Sequence, residues 1–101
     1  MRIIKKLSEQ IADEVEGALD YATEALTIKD EDPELSKFYA ELSRTEYGHM
    51  EKLHSHVMEK IREARDEYPD PPQWMLEKWD EQHRDMMAKA AKAKALIDMY
   101  K

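Results

Sequence analysis

Three side chains have the types and the spacing to bind a metal ion together: Glu14, Glu46 and His49. Glu46 and His49 are three residues apart, so on a helix they project from the same face. Glu-x-x-His is also the spacing with which one helix offers a metal both an oxygen and a nitrogen ligand. The motif occurs on many exposed helices as well, so it predicts a metal site only where its surroundings place it inside the fold.

The composition and the breaks in the chain predict an all-α fold. Of 101 residues only 2 are glycine and 4 are proline, and 39% are charged, a balance typical of long helices rather than of sheet. The segments 29–33 and 68–72 contain the prolines and interrupt the helical pattern. The first two helices are joined by a short loop and should form an antiparallel hairpin. We therefore predict one domain, residues 1–101, with helices at about 3–27, 33–67 and 72–100.

Each helix of this hairpin has an apolar row that charged or polar residues interrupt. In helix 1 the row consists of Ile4, Leu7, Ile11, Ala18, Tyr21 and Ala25. In helix 2 it consists of Leu35, Tyr39, Leu42, Leu53, Ile61 and either Val57 or His56. Glu14 falls in the gap of the first row, and Glu46 with His49 in the gap of the second. Since a buried carboxylate is costly unless it is paired or binds a cation, these gaps indicate a cation site.

The two carboxylates are also predicted to lie at the same height in the hairpin. Thr27 lies thirteen positions after Glu14, and Glu46 lies thirteen positions after Pro33. Equal distances from the loop place two residues opposite each other in antiparallel helices. A hairpin of this length leaves apolar surface that a third helix covers only in part, and the simplest further cover is a second copy of the chain.

These residues resemble the first helix pair of the ferritin-like superfamily. Glu14 followed after six residues by Tyr21, and later the run Glu46-Tyr47-Gly48-His49, are similar to rubrerythrin-like proteins and to encapsulated ferritins. The resemblance covers roughly residues 10–60, and helix 3 lies outside it.

The resemblance implies a di-iron site shared between subunits. A complete ferritin-like chain has two such helix pairs, whereas this chain has one, so two copies would combine into a ferritin-like four-helix bundle, as the encapsulated ferritins do. Each copy would supply Glu14, Glu46 and His49, and the site would oxidise Fe(II) to Fe(III) with dioxygen or peroxide, for iron storage or detoxification. Mn or Zn could occupy the same donors. The implied partners are a second subunit, or a higher homo-oligomer, and an encapsulin shell, although residues 95–101 contain nothing like the usual addressing tail.

Four further residues are candidates for the site. Tyr21 lies two turns after Glu14 on the same face and could assist the reaction by hydrogen-bonding a ligand carboxylate, or be an ordinary core tyrosine. In helix 3, Asp80 and His83 form a second acid-x-x-His and could be accessory ligands, although His83 also suits a packing role. His56 could bind a metal in transit or simply face solvent.

Charge and cysteine content exclude several classes of function. A net charge of -7 argues against nucleic acid as a partner, and the absence of cysteine excludes a disulfide framework and a thiolate metal site. No run of residues approaches the ~20 apolar residues of a membrane helix, so we expect a soluble cytoplasmic protein, inside an encapsulin compartment if it is encapsulated.

Two alternatives to a ferroxidase remain open. One is a rubrerythrin-like peroxidase, which would need a partner to deliver electrons because a rubredoxin-like domain requires cysteine. The other is a non-enzymatic helical scaffold or adaptor whose inward acids form salt bridges with Arg44 or with lysines.

Overall fold

The computed structural model describes residues 2–67 and 73–100, apart from the side chains of Arg65, Glu67, Met75 and Leu76. Throughout this part of the chain the fold is all-α and contains no strand, with helices α1 (Arg2–Ile28), α2 (Pro33–Glu67) and α3 (Gln73–Met99). The bounds of α1 and α2 lie within one residue of the predicted ones. The second predicted break and the predicted start of helix 3 lie outside the described residues. None of the described helices combines the length and the apolar content needed to cross a membrane.

The connection between α1 and α2 explains why α2 begins at Pro33. The Leu35 N–H donates to Asp32 Oδ1 (3.1 Å), so Asp32 caps the helix. The Ser36 N–H donates to the Asp32 carbonyl (2.9 Å), and the Asp32 N–H donates to the Ile28 carbonyl (2.9 Å). Proline has no N–H to satisfy, which suits the first helical position. This short turn sets the register in which the two helices run side by side.

Small residues form the contact between α1 and α2. The Ser43 hydroxyl donates to the Ala18 carbonyl (2.5 Å), and the Ser36 hydroxyl donates to the Ala25 carbonyl (2.5 Å). All four of these residues are buried. Because the hydroxyls are hydrogen-bonded, they lie inside the fold without the penalty of an unsatisfied polar group.

The buried row of α2 differs from the predicted one. It consists of Ser36, Ala40, Ser43, Met50, Val57 and Ala64. Three residues of the predicted row, Leu35, Tyr39 and Leu42, each lie one position before a buried residue and are less buried; Leu35 is 41% exposed, and Val57 belongs to both rows. The prediction favoured large apolar residues, whereas the close contact with α1 selects serine and alanine. The gap that contains Glu46 and His49 therefore lies beside the core and not within it.

The third helix packs along one side of the hairpin. Ala90 is buried, and Trp79 and Met86 pack against the core that α1 and α2 form. At the C-terminal end, the hydroxyl groups of Tyr100 and Ser36 are hydrogen-bonded to each other (3.1 Å). These contacts attach α3 to the hairpin along its length.

Candidate metal site

A second, half-buried face runs along the hairpin beside its core. It consists of Leu7, Glu14, Tyr21 and Ile28 in α1, and of Tyr39, Leu42, Glu46, His49 and Leu53 in α2. Within α1, and within the series 39, 46 and 53 of α2, the members are seven residues apart, so each series forms a nearly straight stripe. All are partly buried except His49, which is exposed. The polar contacts that α3 makes with the hairpin involve other residues.

Glu14, Glu46 and His49 meet in the middle of this second face. One donor atom from each side chain lies within 4.8 Å of the other two. Glu14 comes from α1 and the other two from α2, so the cluster joins the helices at one level, as the equal distances from the loop predict. Two carboxylates and an imidazole are a donor set that suits divalent Fe, Mn or Zn.

Among the described residues, the side chain of Glu14 is incompletely satisfied. Its Oε2 atom is buried and has no hydrogen-bond partner among the described residues. Nδ1 of His49 lies 3.4 Å from this oxygen, near enough for an ion pair if the imidazole is protonated but without hydrogen-bond geometry. Leaving such a group unsatisfied costs about 1–3 kcal/mol. A bound cation would remove that cost, so the residues present fit a metal.

A glycine makes room for the second carboxylate. A Cβ atom at Gly17 would lie 3.2 Å from Oε2 of Glu46, tighter than an ordinary van der Waals contact. Gly17 is one turn from Glu14 on α1, so the absent side chain opens space where Glu46 approaches from α2. A glycine inside a helix costs about 0.5–1 kcal/mol relative to alanine. Its position three residues after Glu14 was the signal for this role in the sequence.

Glu14 disfavours the charged form of the neighbouring Glu46, and the pKa of Glu46 is therefore raised. A hydrogen bond shared with Glu14, then burial, then the negative charge of Glu14 raise the pKa of Glu46 above its ordinary value, and His49 partly offsets the rise. The arrangement therefore favours a proton on Glu46, at the position that a cation would take. Metal binding at such a site displaces the proton.

Tyr21 lies on the second face but does not contact the carboxylates through its hydroxyl. Its ring stacks on that of Tyr39, with ring centroids 6.0 Å apart and planes inclined by 21°. Among the described residues it donates no hydrogen bond to Glu14 or Glu46. The stacked pair borders the cluster on the side of the α1–α2 turn, where it forms an apolar wall.

The predicted accessory ligands lie away from the cluster. His56 and Asp80 are exposed, and His83 stands beside His54 with ring centroids 5.4 Å apart. None of them belongs to the group of donors that meets on the second face. His54 was not predicted as a site residue, although its position three residues before the buried Val57 places it on the core row of α2.

Among the described residues, the acids of the cluster are not paired with arginine or lysine. Within residues 2–67 and 73–100, neither Glu14 nor Glu46 forms an ion pair with an arginine or lysine whose side chain is described, and Arg44 is exposed. The salt bridges expected of a purely structural scaffold are therefore not found at this position.

Comparison with protein-family models, with curated proteins and with solved structures finds no match.

Proposed function

We propose that this protein is a ferroxidase in which two copies of the chain share one di-iron site of the ferritin-like type. The observation that carries the proposal is the cluster of Glu14, Glu46 and His49, whose donor atoms lie within 4.8 Å of one another. The buried, unpartnered oxygen of Glu14 supports it, because a cation is what would satisfy that atom.

The donors of one chain are half of a ferritin-like set. A di-iron site of this type takes a single Glu from each of two helices and a Glu-x-x-His pair from each of the other two. Here α1 supplies the single Glu14, and α2 supplies the pair Glu46 and His49. Two chains related by a two-fold axis would provide four carboxylates and two imidazoles, which completes the set.

The residues around the cluster support its burial between two copies. Leu7, Leu42 and Leu53 lie on the second face, half-buried in the single chain, and the Tyr21–Tyr39 pair continues the apolar surface. Association of two second faces would remove this area from water, and each Å² of apolar surface buried would stabilise the dimer by about 25 cal/mol. It would also exclude water from the carboxylates, which strengthens their attraction for a cation.

In the proposed reaction Fe(II) is the substrate. Two Fe(II) ions each lose one electron, and dioxygen takes up both electrons with two protons to give hydrogen peroxide. With peroxide as oxidant, the same two electrons and two protons give water. The protein contributes negative charge that stabilises Fe(III) over Fe(II), and His49 with Glu14 and Glu46 holds both ions in place for the transfer.

The direct test is oxidation of Fe(II) in air. Protein prepared without metal should bind about one Fe per chain, because two chains share two ions, and should form Fe(III) faster than the buffer alone. Glu46→Ala should oxidise iron no faster than the buffer. Glu41→Ala, which removes an exposed carboxylate of the same helix, should behave as wild type. Equal rates for wild type and buffer would contradict the ferroxidase proposal.

The shared site has a separate test in the size of the assembly. Light scattering or sedimentation should give a dimer or a multiple of it. A compact monomer that binds iron with full affinity would overturn the shared site.

A separate measurement recognises a peroxidase. Its rate of peroxide reduction would require an added electron donor and would not be sustained by Fe(II) alone.

A further inference from the structure

A second pair of imidazoles lies on the other side of α2, between α2 and α3. The rings of His54 and His83 have their centroids 5.4 Å apart and their planes inclined by 30°. His54 is five residues after His49, which turns it roughly 140° around the helix and away from the second face. The pair is therefore separate from the cluster formed by Glu14, Glu46 and His49.

One nitrogen of this pair has no hydrogen-bond partner in the part of the chain that the structure describes. Nε2 of His54 is buried and makes no hydrogen bond to any described residue. Burial, and next the charge of His83, lower the pKa of His54, which favours the neutral form of its imidazole. A neutral imidazole nitrogen is the form that binds a metal.

The spacing of the two rings suits a common ligand. Bonds of about 2.0–2.1 Å from Zn²⁺ to each imidazole nitrogen, at a tetrahedral angle, place the two ring centres roughly 5–6 Å apart. The observed separation of 5.4 Å falls in this range. The two histidines come from different helices, so an ion held by both would link α3 to the hairpin.

An open groove gives solvent access to the pair. It has a volume of about 680 Å³, and both histidines line it together with Trp79, Lys78 and Asp85. Water from the groove could complete the coordination of an ion, as it does at zinc sites with an open position.

We propose that His54 and His83 form a second metal site, which binds an imidazole-preferring divalent cation such as Zn²⁺ or Cu²⁺ and joins α2 to α3. No described carboxylate joins the pair to make a three-ligand group, and lysine and arginine side chains also line the groove. The ion is therefore held by bonds to nitrogen and not by negative charge. This excludes Mg²⁺ and Ca²⁺, which need oxygen ligands.

The test follows the imidazole signals of the full-length chain by NMR during a titration with Zn²⁺. The chain carries Glu46→Ala, so that the first cluster lacks a ligand and the result does not depend on the ferroxidase proposal. The signals of His54 and His83 should shift together and saturate at the same Zn²⁺ concentration. Those of His56, which is exposed on the same helix, should not move. Mg²⁺ at equal concentration should shift neither member of the pair.

Replacement of one histidine provides the second readout. In the same background, His83→Asn should abolish the Zn²⁺-dependent shift of His54 and the rise in melting temperature that an ion bound only to the folded state produces. The matched control His56→Asn should retain both effects. If His54 shifts equally with and without His83, the two do not share an ion. Should His83→Asn fail to fold, the titration with His83 intact still decides, because a shift confined to one ring contradicts a shared site.

Discussion

The two faces of the α1–α2 hairpin differ in how completely their polar groups are hydrogen-bonded. On the core face, Ser36 and Ser43 each donate a hydrogen bond to a carbonyl of α1. On the second face, Glu14 has a buried oxygen without a hydrogen-bond partner among the described residues, and the pKa of Glu46 beside it is raised. Polar groups whose bonds are complete stabilise a fold, whereas incompletely satisfied ones indicate a ligand. The core face therefore holds the hairpin together, and the second face is available for function.

The largest expected difference between the faces is in metal binding. Glu46→Ala and His49→Ala each remove one of three ligands from the second face. They should weaken Fe(II) binding by more than the ~10–100-fold that loss of an outer-shell partner costs. Anaerobic titration with Fe(II) measures this, and Glu41→Ala serves as the exposed control. Retention of wild-type affinity in both variants would remove the cluster as a metal site.

The next difference is in the stability of the metal-free protein. Met50→Ala on the core face leaves a cavity at a residue that is only 5% exposed, and should lower the free energy of unfolding by about 2–5 kcal/mol. At a pH above the raised pKa of Glu46, Glu46→Ala should leave it unchanged or raise it, because it then removes one of two adjacent negative charges. Urea unfolding of both variants without metal measures the contrast. A loss of stability in Glu46→Ala like that in Met50→Ala would mean that the carboxylate is structural.

The sequence predicts the level of the cluster better than it predicts the core row of α2. Counting residues from the loop was sufficient to place Glu14 opposite Glu46, because helix geometry and one short turn determine the level of both. Four of the six residues predicted for the α1 row are buried. The core row of α2 is misplaced, because serine is polar by type and its suitability for burial depends on carbonyls of the other helix. The contact between His54 and His83 could not be predicted, since it depends on how α3 is placed after the second break.

A smaller effect is expected from the two glycines of the hairpin. Alanine at either position should favour the helix by about 0.5–1 kcal/mol. At Gly17 the new Cβ would press on Glu46 Oε2 from 3.2 Å, whereas at Gly48 it would meet nothing within 4 Å. Gly17→Ala should therefore weaken Fe(II) binding, while Gly48→Ala should not. Thermal melts and Fe(II) titrations of the two variants provide the comparison, and equal affinities would show that the space at Gly17 is not needed by the metal-bound carboxylate.

The smallest expected effect is a dependence of stability on pH. It tests whether a proton and a cation compete for the space between Glu14 and Glu46. Glu46 has a pKa raised above its ordinary value of 4.5 in the folded chain. Its protonated form therefore stabilises the metal-free fold, fully below the ordinary value and progressively less as pH rises through the raised one.

The measurement is the difference in unfolding free energy between wild type and Glu46→Gln, which has no such proton. Without metal, wild type should lose stability relative to Glu46→Gln as pH increases from about 4.5 through the raised pKa of Glu46. Fe(II) affinity should change in the opposite direction over the same window, because the cation binds the deprotonated carboxylate. Glu41→Gln, at an exposed position of the same helix, should show neither trend. If stability and affinity instead changed in the same direction with pH, proton and cation would not compete for the space between Glu14 and Glu46.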